Sequence, residues 1–460
     1  MSSQSNVLMT SISGIRGIVG AGLDAEVACR MAAAFGSWAE PGPIVIGRDS
    51  RVTGAMIRHA VVAGLISTGH DVVDLGIATT PTTEILVGTH AASGGVIITA
   101  SHNPEAWNAL KLLNGEGLFL SREQGEAVLA IERDGSARHR PWDEIGSLRE
   151  DTAAAEVHIR SIMEQEWLDR DSIATRRFHA VVDCCNGAGG VVVPDLLRRL
   201  GLHVSEVHCE PTGRFGRRPE PTPANLEELS TRVRELGADV GFATDPDADR
   251  LGLVTHTGEA LFEEYTLALA ADFLLQAQPG PVVVNLSTTR AMDDICRRHG
   301  VTLHRTAVGE ANVVAEMLRV GAVVGGEGNG GVILPALHAG RDALVGIALL
   351  LQSMASSGCT LADLHAALPR YRMIKRSLEL ARPLPDGELA EMATREFAGA
   401  QIDRRDGVKI TLPQGWVHLR RSNTEPIVRA IAESSDEAIA NELAERALRQ
   451  LRQLSATRSV

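Results

Sequence analysis

Aromatic side chains are scarce: 15 of 460 residues are Phe, Trp or Tyr. With so few stacking platforms and a net charge of −13, a broad nucleic-acid surface is not expected. A small anionic ligand is still allowed, because a phosphate site needs only a local arginine cluster. Cysteine is also sparse. The six, at positions 29, 184, 185, 209, 296 and 359, show no Cys-x-x-Cys spacing. Adjacent Cys184 and Cys185 fall in a strand-like run and read as buried thiols, so a reducing cytoplasm is the expected compartment. Long apolar runs are missing too. The most apolar helix candidate, Ala343 to Leu351, has about half the length a bilayer demands. Met1 to Thr10 carries no basic segment followed by an apolar one, so neither an export signal nor a membrane partner is expected.

What is present is ordinary soluble composition, 44% hydrophobic and 22% charged, arranged in a repeated rhythm. Ile44-Val45-Ile46, a turn, the amphipathic stretch Ala55 to Ser67 and then Val72-Val73-Asp74-Leu75 read as strand, helix, strand. The pattern recurs at Ala180 to Asp183 with Pro194 to Leu200, and at Val282 to Asn285 with Arg290 to Arg298. Such alternation predicts an α/β chain of three related mixed domains. Beyond Pro383-Leu384-Pro385-Asp386-Gly387 the pattern changes. A helix, two short strands, the Arg420 to Pro426 turn, a strand over Ile427 to Ala432 and a helix from about Asp436 to Gln453 predict a smaller α+β domain. The expected divisions are 1–150, 151–256, 257–368 and 369–460.

Two segments carry chemistry. Thr99-Ala100-Ser101-His102-Asn103-Pro104 follows the apolar β-branched run Gly94 to Ile98, and Asn103-Pro104 breaks the chain. Ser101 is therefore expected on a tight exposed turn at a sheet edge, where open α/β sheets bind ligands. Taken alone, the turn reads equally as a Ser/Asn-rich helix cap. Asp245-Pro246-Asp247-Ala248-Asp249-Arg250, between two apolar runs, puts three carboxylates at alternate positions of an extended loop. A hard divalent cation cancels their repulsion, and an all-oxygen set suits magnesium. An EF-hand is excluded, since its glycine and glutamate places hold Arg250 and His256.

Together these segments resemble the phosphohexomutase superfamily, the phosphoglucomutases, phosphomannomutases and phosphoglucosamine mutases. The resemblance spans nearly the whole chain through Ser13-Gly14-Ile15-Arg16-Gly17, Gly47-Arg48-Asp49-Ser50-Arg51, the two loops above, Gly326-Glu327-Gly328-Asn329-Gly330, and Arg420-Arg421-Ser422-Asn423-Thr424-Glu425-Pro426. It implies four domains around a central cleft, each giving one loop. It makes Ser101 the phosphorylated residue, and Asp245, Asp247 and Asp249 the Mg2+ ligands with Ser101 completing the set. Proton transfer falls to His102 and to Lys111, whose pKa is expected to be lowered among cations. Arg16, Arg250 and Arg48 are candidate phosphate contacts, Arg48 being read equally as a salt-bridge partner within its domain. Glu327 and Asn329 are implied for the sugar, and Arg420, Ser422, Asn423, Thr424 and Arg429 for the phosphate that does not react. Ser422 to Glu425 also reads as a capping box.

The implied reaction interconverts hexose 6-phosphate and hexose 1-phosphate through a hexose 1,6-bisphosphate, which also serves as activator. Thr306-Ala307-Val308-Gly309-Glu310 is similar to the phosphoglucosamine mutase pattern, and the Gly-rich Glu327 loop to archaeal-type members. Ser-Asn-Thr-Glu-Pro points as well to phosphomannomutase-like enzymes. Glucosamine phosphate is the preferred substrate, mannose or glucose phosphate the alternative, and a monomer or homodimer the expected state. Three readings from other classes are an aspartyl phosphatase with Asp245 as nucleophile, a non-catalytic sugar-phosphate binder, and a nicotinamide oxidoreductase. The last rests on Gly187-Ala188-Gly189, but Val192 stands where its third glycine belongs.

Overall fold

The computed structural model describes residues 8–11, 14–379, 384–421 and 427–456. The chain forms two compact units, one drawn from Met1–Phe273 and Asn329–Leu364, the other from Leu274–Gly328 and His365–Val460.

The first unit opens with a seven-stranded mixed sheet in the order Leu8–Ser11, Gly14–Ile18, Trp107–Asn114, Gly94–Ile98, Ile44–Arg48, Val72–Ile77, Leu148–Glu150. Its central strands Gly94–Ile98 and Ile44–Arg48 are apolar apart from Arg48 because both faces are covered. Ile44, Ile46, Val96 and Ile98 point to one side and pack on Ile57, Val61 and Leu65 of the helix Gly54–Ser67. Val45 and Ile97 point to the other side and meet Leu86 and Val87 of the helix Thr80–Thr89. The strand Gly94–Ile98 lies at the middle of this sheet, parallel to Ile44–Arg48 and antiparallel to Trp107–Asn114. The loop after it therefore leaves the sheet from its centre.

A second sheet orders Leu251–Thr255, Val240–Thr244, His179–Asp183 and His203–Val207, the last three parallel. Every residue of Val240–Thr244 and of Leu251–Thr255 is buried, and the aspartate loop is the turn between them. Cys184 and Cys185 are buried, one step beyond the strand end rather than within it. The hairpin Gly331–Leu334 and His338–Arg341 and the buried helix Ala343–Ser357 belong to the same unit.

In the second unit Val282–Asn285 runs parallel to Leu303–Thr306 and to Val324–Glu327. The C-terminal portion is a five-stranded antiparallel sheet in the order Arg372–Glu379, Ile427–Ser434, Gly415–Arg421, Val408–Leu412, Gln401–Asp403. Three strands, not the expected two, lie between the helix Asp386–Glu396 and residues 422–426. The additional one, Gln401–Asp403, is too short and polar to stand out in sequence. Leu389, Met392 and Phe397 on one helix side and Leu443, Ala447, Leu448 and Leu451 of the helix Glu437–Ala456 close the core over Ile410, Val417 and Val428. The fold is thus a set of mixed α/β sheets followed by an α+β domain, and among the described residues no helix is long and apolar enough to cross a membrane.

Candidate active site

Ser101 ends the run that leaves the central strand and is held at φ +49°, a conformation that costs a non-glycine residue about 1 kcal/mol. It is buried, not exposed as its turn chemistry suggested, because the loop folds inward onto other elements. Arg51 is the main restraint. Its Nε donates to Asp49 Oδ2 at 2.9 Å, Nη1 to the carbonyls of Pro104 and Trp107 at 2.7 and 3.1 Å, and Nη2 to those of Ser101 and Asn103 at 2.6 and 2.7 Å. All five guanidinium donors are thereby spent on fixing the turn. Asp49 also accepts from Thr99 Oγ1 at 2.6 Å, and that oxygen accepts from the Ser101 amide at 3.0 Å. Arg16 Nη1 donates to Asn103 Oδ1 at 2.8 Å.

The Ser101 hydroxyl donates to Asp245 Oδ2 at 2.8 Å, across 144 residues of sequence. Asp245 Oδ1 accepts from the amides of Asp249 and Arg250 at 3.2 Å each. Asp247 Oδ2 accepts from Lys111 Nζ and Thr80 Oγ1, both at 2.7 Å, and Asp249 Oδ2 from Arg341 Nη2 at 2.6 Å. The three carboxylates are fully buried and each offers an oxygen within 4.8 Å of the others. Among the described residues Asp247 Oδ1 and Asp249 Oδ1 are buried with no hydrogen-bond partner, Asp249 Oδ1 having only the Arg250 Nε at 3.8 Å. Orphaned carboxylate oxygens are costly in a protein interior. A hard divalent cation is the group this donor set fits.

The electrostatics follow from that crowding. Burial, with Asp249 and Asp247 alongside, pushes Asp245 well above the ordinary carboxylate range. Burial alone would raise Asp247 too, but the Lys111 ammonium overrides it and holds Asp247 far below that range. The expectation of a lowered Lys111 is overturned. Burial does act to lower it, yet Asp247 at 2.7 Å and Asp249 at 3.9 Å win, and its pKa is raised. The lysine sits among carboxylates rather than among cations. His102 is the opposite case: burial, then Arg250 and Arg16, push it down to about 2. Its Nδ1 lies 3.4 Å from Ser101 Oγ.

Arg250 is buried and pairs with Glu220 at 3.0 Å, while Arg48 Nη1 donates to the carbonyl of Asp49 at 3.2 Å. Ser101, His102, Lys111, Arg16, Arg250 and the three aspartates thus form one neighbourhood in the first unit. Asn329 in that unit accepts the Gly331 amide at 3.2 Å. In the second unit buried Glu327 Oε1 accepts from Asn285 Nδ2 at 2.8 Å and from the Gly309 amide at 3.0 Å. Arg420 forms an ion pair with Asp406 at 2.8 Å, and exposed Arg429 stands opposite it in register. Ser422, Asn423 and Thr424, with the capping-box reading, lie outside the described residues.

Four contributors escaped sequence reasoning as site residues: Asp49, Arg51, Thr80 and Arg341. Only the first two had a signal, as part of the Gly47 to Arg51 segment. Gly187 also finds its reason here. A Cβ on it would lie 2.6 Å from Pro246 Cα and O, and the Ala188 amide donates to Pro246 O at 2.7 Å. The glycines that hinted at a dinucleotide fold instead let a second loop close against the aspartates.

Models of the phosphoglucomutase/phosphomannomutase family match along the chain: alpha/beta/alpha domain I over residues 9–138, domain II over 156–258, domain III over 263–371, and the C-terminal domain over 379–450. A probable phosphoglucosamine mutase of Methanopyrus kandleri is 38% identical over 434 residues, covering 94% of this chain and 95% of its own. A phosphoglucomutase/phosphomannomutase of Thermococcus kodakarensis is also 38% identical, over 441 residues, covering 94% and 96%. Among solved structures, a phosphoglucomutase/phosphomannomutase family protein of Burkholderia thailandensis superposes with a TM-score of 0.85 at 27% identity, covering 98% of this chain and 99% of its own. Fold and relatives together define a phosphomutase enzyme acting on hexose phosphates. The chain belongs to the phosphoglucomutase/phosphomannomutase family.

Proposed function

We propose that the chain interconverts glucosamine 6-phosphate and glucosamine 1-phosphate through a phosphorylated Ser101. The observation that carries this reading is the buried hydrogen bond from Ser101 Oγ to Asp245 Oδ2, set among three carboxylates with two orphaned oxygens. Asp245, Asp247 and Asp249 would hold Mg2+ together with a phosphoserine oxygen, and bound there it would neutralise phosphoryl charge during transfer.

The chain's own residues supply the rest. Phospho-Ser101 gives its phosphoryl group to the free hydroxyl of the substrate, forming a hexose 1,6-bisphosphate. The other phosphate of that intermediate then returns to Ser101 and the second monophosphate leaves. His102, with Nδ1 3.4 Å from Ser101 Oγ, and Lys111, held on Asp247, carry the hydroxyl proton; Arg16 and Arg250 offset phosphate charge. Arg51 keeps the loop closed so that the serine meets the aspartates without reorganisation. Glu327 and Asn329 take the sugar hydroxyls, and Arg420, Ser422, Asn423, Thr424 and Arg429 take the phosphate that is not transferred. Domains divided at 1–150, 151–256, 257–368 and 369–460 would each give one of these loops. A hexose 1,6-bisphosphate is the activator that restores a lost phosphoserine. Six unpaired cysteines suit a reducing cytoplasm.

Glucosamine is favoured by the Thr306 to Glu310 segment and by the naming of the Methanopyrus relative. Glucose or mannose phosphate is the second reading, favoured by the equally identical Thermococcus enzyme. A coupled assay with magnesium and a trace of hexose 1,6-bisphosphate separates them, using the phosphates of glucosamine, glucose and mannose. A glucosamine preference lost in Ser101→Ala supports the whole reading. Equal or better turnover of glucose and mannose keeps the mechanism and overturns the substrate. Full activity in Ser101→Ala overturns the mechanism.

A further inference from the structure

The second unit contains a cavity of about 260 Å³ walled by the helix Ala291–His299 and the strands Val408–Leu412 and Gly415–Arg421. Three ion pairs line it: Asp293 with Arg305 and Asp294 with Arg297, each at 2.6 Å, and Asp403 with Arg405. Two further cations face the same space and, among the described residues, have no carboxylate within ion-pair distance. Arg290 donates from Nη1 to the carbonyl of Pro413 at 3.3 Å. Lys409 donates from Nζ to the carbonyl of Leu286 at 2.6 Å and sits 4.2 Å from the centre of the Trp416 ring. Glu433 acts on Lys409 only from farther away, and its Oε1 already accepts from the Arg290 amide and from Trp416 Nε1.

Lys409 is 5% exposed. A buried ammonium whose partners are a carbonyl and a ring face has lost water without gaining a counter-charge. Burial, and next Arg305, force its pKa well below the usual lysine value. The residue type adds a second observation. This chain has only three lysines, Lys111, Lys375 and Lys409, among 45 basic residues. Of the three, Lys111 and Lys409 are buried, and Lys111 lies in the candidate active site. Guanidiniums are enclosed as well, at Arg51, Arg250 and Arg341, but each of those has a carboxylate partner, which Lys409 lacks among the described residues.

We propose that this cavity binds a small dianion, inorganic phosphate or the phosphate group of a monoester, held by Lys409 and Arg290. Two uncompensated cations match two negative charges. The volume lies below that of pockets for drug-sized ligands and leaves room for a phosphate with a few waters. Its lining shares no residue with the loops assigned above to serine, metal, sugar or the phosphate that is not transferred, so it stands or falls independently of the proposed reaction.

Because the lysines are so few, each is its own reporter. Acetic anhydride labelling followed by peptide mass spectrometry reads all three in one experiment on the intact protein. At ten times the dissociation constant, inorganic phosphate is expected to slow labelling of Lys409 about tenfold relative to chloride of equal ionic strength. Exposed Lys375 stays unchanged, and Lys111 reports the active site separately. Protection by glucose 6-phosphate at far lower concentration than by inorganic phosphate assigns the cavity to a sugar phosphate; equal protection assigns it to phosphate itself. Identical Lys409 rates in phosphate and chloride overturn the proposal. Should the reagent fail to reach Lys409, calorimetric titration of inorganic phosphate into wild type and folded Lys409→Met decides: one phosphate fewer in the variant is expected, and unchanged stoichiometry overturns it.

Discussion

Lys111 and Lys409 are buried to a similar depth, 9% and 5% exposed, one in each unit, and they end in opposite electrostatic states. Lys111 has Asp247 at 2.7 Å and Asp249 at 3.9 Å, and its pKa rises; Lys409 has a carbonyl and an indole, and its pKa falls. Depth is therefore not what fixes the charge of a buried amine; the partner is. In the first unit three aspartates share two hydrogen-bonded side-chain cations, Lys111 and Arg341, and call for a metal. In the second the cations outnumber their carboxylates and call for an anion.

The sharpest way to break this contrast is to remove the amines. Lys111→Met strands Asp247 without its cation. Mutase activity is expected to drop about a thousandfold and stability in EDTA by about 4 kcal/mol, measured by coupled assay and denaturant unfolding. Arg51 lies between the two lysines in character, with one carboxylate and four carbonyls. Arg51→Met should cost about 3 kcal/mol in the same unfolding experiment, because Asp49 and four loop carbonyls lose their donor.

His338 extends the comparison to a cation that titrates. Its Nε2 is 3.1 Å from Asp342 Oδ2 and its Nδ1 is 3.3 Å from Glu84 Oε2. Burial works to lower its pKa, but the two carboxylates prevail and push it up to about 10 from 6.5. A raised folded-state value means that the stabilisation is complete below pH 6.5 and disappears as pH climbs toward 10. His338→Gln should therefore cost about 2 kcal/mol at pH 6, and the gap to wild type should close toward pH 10 in a series of denaturant titrations. Lys409→Met gives the smallest effect and the opposite sign. Replacing an unpartnered ammonium with a thioether of similar length should leave stability unchanged or raise it by about 1 kcal/mol in phosphate-free buffer.

How much of this was legible beforehand depends on how local the signal is. Gly94 to Ile98, apolar and β-branched, and Val240 to Ala243, apolar, stood out as short runs, and Asn103-Pro104 and Pro246 marked the turns that follow. Three aspartates at alternate positions announced mutual repulsion, hence a cation. Contacts across long stretches were invisible. Nothing near Arg51 reveals that its guanidinium would meet four carbonyls between Ser101 and Trp107. Arg341 reaches Asp249 over 92 residues, and Thr80 reaches Asp247 over 167. The burial of Ser101 and the rise of Lys111 were missed for the same reason. The inward fold of a loop held by Arg51 decides the first and carboxylates from the aspartate loop decide the second, all supplied by tertiary structure. Lys409 differs again, since its state follows from a partner that the cavity lacks.

The central claim is that Ser101 carries the phosphoryl group, and trapping that group tests it most directly. Wild type and Ser101→Ala are incubated with magnesium and radiolabelled hexose 1,6-bisphosphate, quenched in acid, and digested for peptide mapping. The account predicts acid-stable label on the peptide containing Ser101 and none in the variant. Label that survives in Ser101→Ala, released by hydroxylamine from the peptide containing Asp245, would contradict it and make the aspartate the nucleophile.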